Sequence, residues 1–168
     1  VTIAVQLEPP AGTLPPVEYR WDTDTDVLSA RIGAGQAAPG AAGSVELQGT
    51  DGSWLVLDLV QGRIGGVEIA VWPDVHKHPG LAPPRAVEDG AVIVAAGANP
   101  GQSVLEVEAP IRAEADDDER VIYFRIGSRR EARSIRFGRD LLLDVDQGGR
   151  IAGLWLLNVP PFPITSPP

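Results

Sequence analysis

Apolar and polar residues alternate in short runs along this chain, and glycine, proline and aspartate punctuate the runs. A period of two sends successive side chains to opposite faces of a strand. Strands are therefore expected over residues 1–7, 17–21, 27–32, 44–48, 55–60, 67–71, 91–96, 104–108, 121–127, 134–137, 141–146 and 151–157. In the fifth of these, Leu55, Leu57 and Leu59 share one face, and Val56, Asp58 and Val60 share the other. Past the following turn, Val67, Ile69 and Val71 form an apolar face opposite Glu68. Residues 22–26 alternate Asp and Thr, whose side chains accept backbone N–H bonds, and are expected to close a hairpin. Residues 33–43, rich in Gly and Ala, read as an exposed mobile loop, and residues 97–101 as a turn.

The most regular pattern occurs twice. Leu55-Val56-Leu57-Asp58 leads through a glycine turn into Gly62-Arg63-Ile64 and a strand ending at Pro73. Leu141-Leu142-Leu143-Asp144 leads likewise into Gly149-Arg150-Ile151 and a strand ending at Pro160. Upstream, residues 27–33 align with 121–127 without a gap and share Arg-Ile-Gly, while the acidic residues 116–119 stand where 22–26 stood. The spacing predicts a tandem duplication. Residues 1–73 form a first β unit with an N-terminal strand, 74–90 a proline-rich connector, 91–160 a second β unit and 161–168 an extended tail. A lone hairpin is marginal in water, so each unit needs a partner for its apolar face. The expected fold class is all-β: two similar antiparallel units packed about a pseudo-twofold axis into one sandwich or barrel-like body, with little helix.

Composition works mainly by exclusion. The net charge of −9 opposes affinity for phosphate backbones, so no nucleic-acid partner is expected. No apolar run approaches the roughly 18 residues that span a bilayer, so no membrane association is expected. Without cysteine there is no disulfide, thiolate metal site or cysteine nucleophile. The opening Val1-Thr2-Ile3-Ala4 has no signal-peptide pattern, so a cytoplasmic acidic protein is expected, with a cleaved export signal as the alternative. Arginine supplies every basic residue but Lys77, and Ala, Gly and Pro are abundant, a GC-rich bias that suggests a bacterial source.

Candidate chemistry is sparse. Asp58 and Asp144 could face each other across the twofold axis as an acid–base or cation-holding pair, or each could meet Arg63 or Arg150 across its own hairpin or simply point to water. The second reading is preferred. His76 and His78 flank Lys77 and could hold a metal only with a carboxylate such as Asp74, so an exposed loop is preferred there. Asp22, Asp24 and Asp26 have calcium-like spacing but lack the Gly and Glu of a calcium loop, and Asp116, Asp117 and Asp118 are read the same way, as solvated turns. Ser128 or Ser134 near a histidine leaves a nucleophile–base pair open. Arg129, Arg130, Arg133, Arg136 and Arg139 read as a solvated surface, and Trp21, Trp54, Trp72 and Trp155 as core anchors. No catalytic residue, metal or cofactor is assigned.

Taken together, Tyr19, Asp22, Asp26-Val27-Leu28, Arg31-Ile32, Val45-Glu46-Leu47, Leu55-Val56-Leu57-Asp58, Gly62-Arg63-Ile64 and Gly66-Val67-Glu68-Ile69 resemble the bacterial Domain of Unknown Function 2283 family. The resemblance covers roughly residues 17–73, and more loosely 112–160. The first copy departs by its insertion at 33–43, and the second by lacking the opening Tyr-Asp and by Leu154-Trp155-Leu156 where the family prefers Ile-Glu-Ile. The resemblance carries no activity to any residue. It implies association with small toxin-like proteins, hence antitoxin-like partner binding. The expected function is a non-enzymatic structural or protein-interaction role, including self-association, through exposed β edges or the Trp155 face. The alternative is a small-molecule-binding module or minor hydrolase in a cleft between the repeats, using Asp58, Asp144, His76 or His78.

Overall fold

The computed structural model describes residues 3–10, 12–33, 42–94 and 104–163, and every regular element within them is a strand. In chain order these are β1 (Val5–Glu8), β2 (Val17–Asp22), β3 (Val27–Ile32), β4 (Ala42–Gln48), β5 (Trp54–Val60), β6 (Arg63–Val71), β7 (Val75–Lys77), β8 (Val87–Asp89), β9 (Ala91–Val94), β10 (Val104–Glu108), β11 (Ile111–Ala115), β12 (Ile122–Ile126), β13 (Ala132–Gly138), β14 (Leu141–Asp146) and β15 (Ile151–Leu156). The protein is all-β and forms two sheets. The first runs β1-β9-β6-β5-β4-β10, with β3 and β2 branching from β6; the second runs β7-β11-β12-β15-β14-β13-β8. Residues 34–41 of the loop expected at 33–43, the turn at 97–101 and the last five tail residues lie outside the described residues, while 42 and 43, placed in that loop by the sequence, open β4.

The hairpin turns follow the sequence chemistry. Residues 22–26 close β2 onto β3, with Asp24 N–H donating to the Asp22 carboxylate at 3.0 Å and Asp26 taking a left-handed φ of 59°. Gln61 and Gly62, both at positive φ, close β5 onto β6. The inward faces of the two sheets meet in one continuous apolar core. Leu28, Leu55, Leu57 and Ile69 of the first pack with Ile122, Phe124, Leu143 and Leu154 of the second.

The sheets exchange strands. β9 and β10, which chain order groups with the second unit, pair in the first sheet: β9 with β1 and β6, and β10 parallel to β4. Residues 74–90, read as a connector, contribute β7 and β8 to the two opposite edges of the second sheet. Between them the chain crosses that sheet's outer face as a strap. Six inter-strand gaps span at most about 29 Å, and the ten steps from Lys77 to Val87 reach at most about 33 Å. His78-Pro79-Gly80-Leu81 takes up slack as a turn, with Leu81 N–H donating to His78 O at 3.0 Å and Gly80 at φ 79°. The remainder must run extended, which Pro83 and Pro84 favour. Leu81 and Val87 press on a second apolar cluster of Leu142, Trp155 and Leu157.

One face assignment differs from the simple alternation. Val67 and Ile69 point inward, but a register shift between Trp54 and Leu55 pairs Trp54 with Val71 and leaves Ala70 without an opposite residue. The bulge turns Val71 outward beside Trp54, where they are 45% and 37% exposed.

Candidate functional site

The two candidate aspartates occupy equivalent positions. Ser44, Asp58, Gly66 and Arg31 form one cross-strand row over β4, β5, β6 and β3. Ser134, Asp144, Gly153 and Arg125 form the same row over β13, β14, β15 and β12. In both, a register shift follows immediately after the aspartate. Each aspartate points away from the shared core on its own sheet, so the two do not converge, and the reading of a carboxylate pair across an axis is corrected.

Their surroundings differ. Asp144 is buried, accepting a hydrogen bond from Ser134 Oγ at 2.5 Å and one from Trp155 Nε1 at 3.3 Å. Tyr123 packs against Trp155 with ring centroids 4.4 Å apart and planes tilted by 32°, and its ring and hydroxyl cover Gly153. Burial pushes the Tyr123 phenol up, and the neighbouring Asp144 carboxylate adds to that. Asp58 is exposed on the open face of the first sheet. Desolvation by adjoining strands pushes its carboxyl up against the pull of Arg31. Glu68 is also pushed up, by desolvation first and the Asp58 charge second.

Neither expected hairpin charge pair forms. Arg63, at the turn end of β6, reaches Glu8 of β1 at 2.7 Å instead. Asp146, two residues beyond Asp144, takes the cation of the second hairpin: Arg130 Nε donates to it at 2.7 Å, and the Arg150 and Gly148 backbone N–H groups donate to its other oxygen. These bonds hold the Asp146 carboxyl below the usual carboxylate range. Arg150 lies exposed beside β1, through an Ala4–Arg150 bridge. His76 and His78 are exposed on and just after β7, with His78 Nδ1 3.9 Å from Glu114. Ser134 is spent on Asp144, away from both histidines. Among the described residues no group of three or more His, Asp or Glu side chains is placed to hold a metal ion.

His76 reaches a cleft between the sheets, a polar one of about 220 Å³ where it joins the candidate third ligand Asp74 with Asp51, Arg112 and Arg125. That lining includes no serine, threonine or tyrosine hydroxyl. A second cleft of about 220 Å³ was not foreseen. It is walled by Trp21, Trp72, Phe162 and Ile122, with Asp118 and Glu119 in its lining. The tryptophans stack at 5.7 Å and 18°, and Phe162 meets Trp21 edge-on at 5.2 Å. Trp21 Nε1 donates to Pro160 O at 2.9 Å and Trp72 Nε1 to Asp26 O at 2.7 Å, so both indoles are fixed as the core-anchor reading required. Their assembly links β2, the end of β6 and the chain after β15, which no local pattern announces.

On the Trp155 face, Leu81 and Val87 of the strap pack over Trp155, which is 7% exposed, and Tyr123, Arg125 and Arg130 line a cleft of about 180 Å³ beside it. No helix among the described residues is long and apolar enough to cross a membrane. No protein-family model matches the chain, and no curated protein matches it in sequence.

Proposed function

We propose that this chain is a non-enzymatic interaction module that captures an extended basic segment of a partner protein on the open side of its first sheet. One asymmetry carries the reading: the second sheet is edged on both sides by the short strands β7 and β8, whereas among the described residues the first ends in an open edge. There β10 pairs with β4 alone. Glu106 of β10, Glu46 of β4, Val56 of β5 and Glu68 of β6 lie in one cross-strand row beside that edge, and Val104 of β10 is 42% exposed. A strand added at β10 gains main-chain hydrogen bonds, and alternate Lys or Arg residues on it meet the carboxylates. The resemblance to the Domain of Unknown Function 2283 family supports a small toxin-like partner. The matching Ser-Asp-Gly-Arg rows support a duplicated origin about a pseudo-twofold axis. A bacterial setting belongs to this proposal and rests on the coding bias.

Affinity capture from the native host tests it, with amide exchange measured on the resulting complex. The expected result is a partner whose binding protects β10 amides and that a Glu46→Arg/Glu106→Arg variant loses by at least about tenfold in affinity. Capture undiminished by the charge reversal, or no partner at all, would overturn the proposal.

A further inference from the structure

We infer that the cleft walled by Trp21, Trp72 and Phe162 is a binding site for a small alkylated ammonium ion. The cleft lies between the two sheets at the end where β2, the end of β6 and the chain after β15 meet, away from the β10 edge. At about 220 Å³ it falls below the roughly 300–1,000 Å³ of sites for drug-sized molecules, so its occupant is a head group or a compact ion.

The lining selects among such ligands. Both indole N–H groups are already committed to Pro160 and Asp26 carbonyls, so the tryptophans offer π surface and carbon but no donor. Val75, Ala115, Ile122, Pro160 and Pro161 add aliphatic surface. The charged groups of the lining are Asp118 and Glu119, both exposed. Lys77 holds Glu119 at 2.7 Å and donates to Asp117 O at 3.2 Å, which leaves Asp118 as the carboxylate facing an incoming cation. Such a surface rejects anions and gives a strongly hydrated ammonium too few acceptors to replace its water. A weakly hydrated cation clothed in methyl groups gains from both parts of the wall, its charge from the aromatic ring cluster and the carboxylate and its carbons from the aliphatic contacts.

Calorimetric titration of the full chain with choline and with its uncharged isostere 3,3-dimethylbutan-1-ol tests the inference, with tryptophan fluorescence as a second readout. Choline should bind saturably with Kd on the order of 1 mM, and the alcohol at least about fivefold more weakly. Asp118→Asn, an exposed change, should weaken choline about three- to fivefold. Lys77→Gln removes the competing cation and should tighten binding by a similar factor, a gain that misfolding does not produce. Equal binding of the neutral isostere, no saturation up to about 10 mM, or indifference to both substitutions would overturn it. Because Glu46 and Glu106 play no part here, failure of this test leaves the partner-capture reading intact.

Discussion

Asp58 and Asp144 show how far a residue's fate is set from outside its own strand. Both stand inside an apolar strand, opposite a serine and a glycine. The strap and the aromatic pair enclose Asp144, whose carboxylate then takes the Ser134 hydroxyl and the Trp155 indole; leaving such donors unpaired in a buried site would cost about 1–3 kcal/mol each. Asp58 has no such cover and keeps a raised pKa from desolvation. A carboxyl whose folded pKa lies above its unfolded value contributes stability below the unfolded pKa, and that contribution is lost as pH rises through the folded pKa. Asp58→Asn should therefore raise stability at pH 7, by up to about 0.5 kcal/mol at so exposed a site, and the gain should shrink towards pH 3. Removing the Asp58 charge should also lower the titration midpoint of Glu68, followed by carboxyl-carbon NMR. An unchanged Glu68 midpoint would show that the two carboxylates do not interact. From sequence, the equivalence of the two aspartates was legible because it lies in a local repeat. Their opposite environments were not, because Tyr123 and the strap residue Leu81 are remote from Asp144 along the chain.

Among the elements, β5, β14 and the 22–26 hairpin were legible as apolar runs between turn formers, whereas β11 was missed although Ile111, Ala113 and Ala115 alternate with polar residues there. β7 and β8 were not legible, since three residues inside a proline-rich stretch carry no periodicity. Their role comes from topology. Short parallel strands at both edges of the second sheet limit further pairing there, and they anchor the strap between them. The Val71 bulge was equally hidden, because a one-residue register shift depends on the partner strand. Leu81 is the strap's apolar contact over Leu142 and Trp155. Leu81→Ala should cost about 1–2 kcal/mol in urea unfolding, below the roughly 2–5 kcal/mol of a fully buried leucine because Leu81 is only half-buried. The same variant should make Trp155 more accessible to acrylamide quenching. Unaltered quenching would mean that the strap does not shield the Trp155 face.

At the scale of the whole molecule, the order of units along the chain is not the order of strands in space. The first sheet is completed by β9 and β10, drawn from beyond residue 90, and the second is edged by β7 and β8, drawn from before it. Ile151 N–H donates to Ile3 O and Val5 N–H to Gly149 O, so the N-terminal strand ties the first sheet to the last hairpin of the second. Tyr19, whose phenol is pushed up by burial and by Asp140, adds a hydroxyl bond from β2 to Leu157 O at 2.7 Å. One apolar core lies between the sheets. Neither sheet can then lose its packing without exposing the inner face of the other, and unfolding of one would strip edge strands from both. The chain should unfold as a single cooperative unit, with far-ultraviolet dichroism and tryptophan fluorescence giving coincident urea transitions. Trp21 and Trp72 report the junction between the sheets and Trp155 reports the second sheet alone. A fluorescence transition preceding the loss of β signal would therefore mean that the sheets separate before they melt, and that the exchanged strands do not couple them.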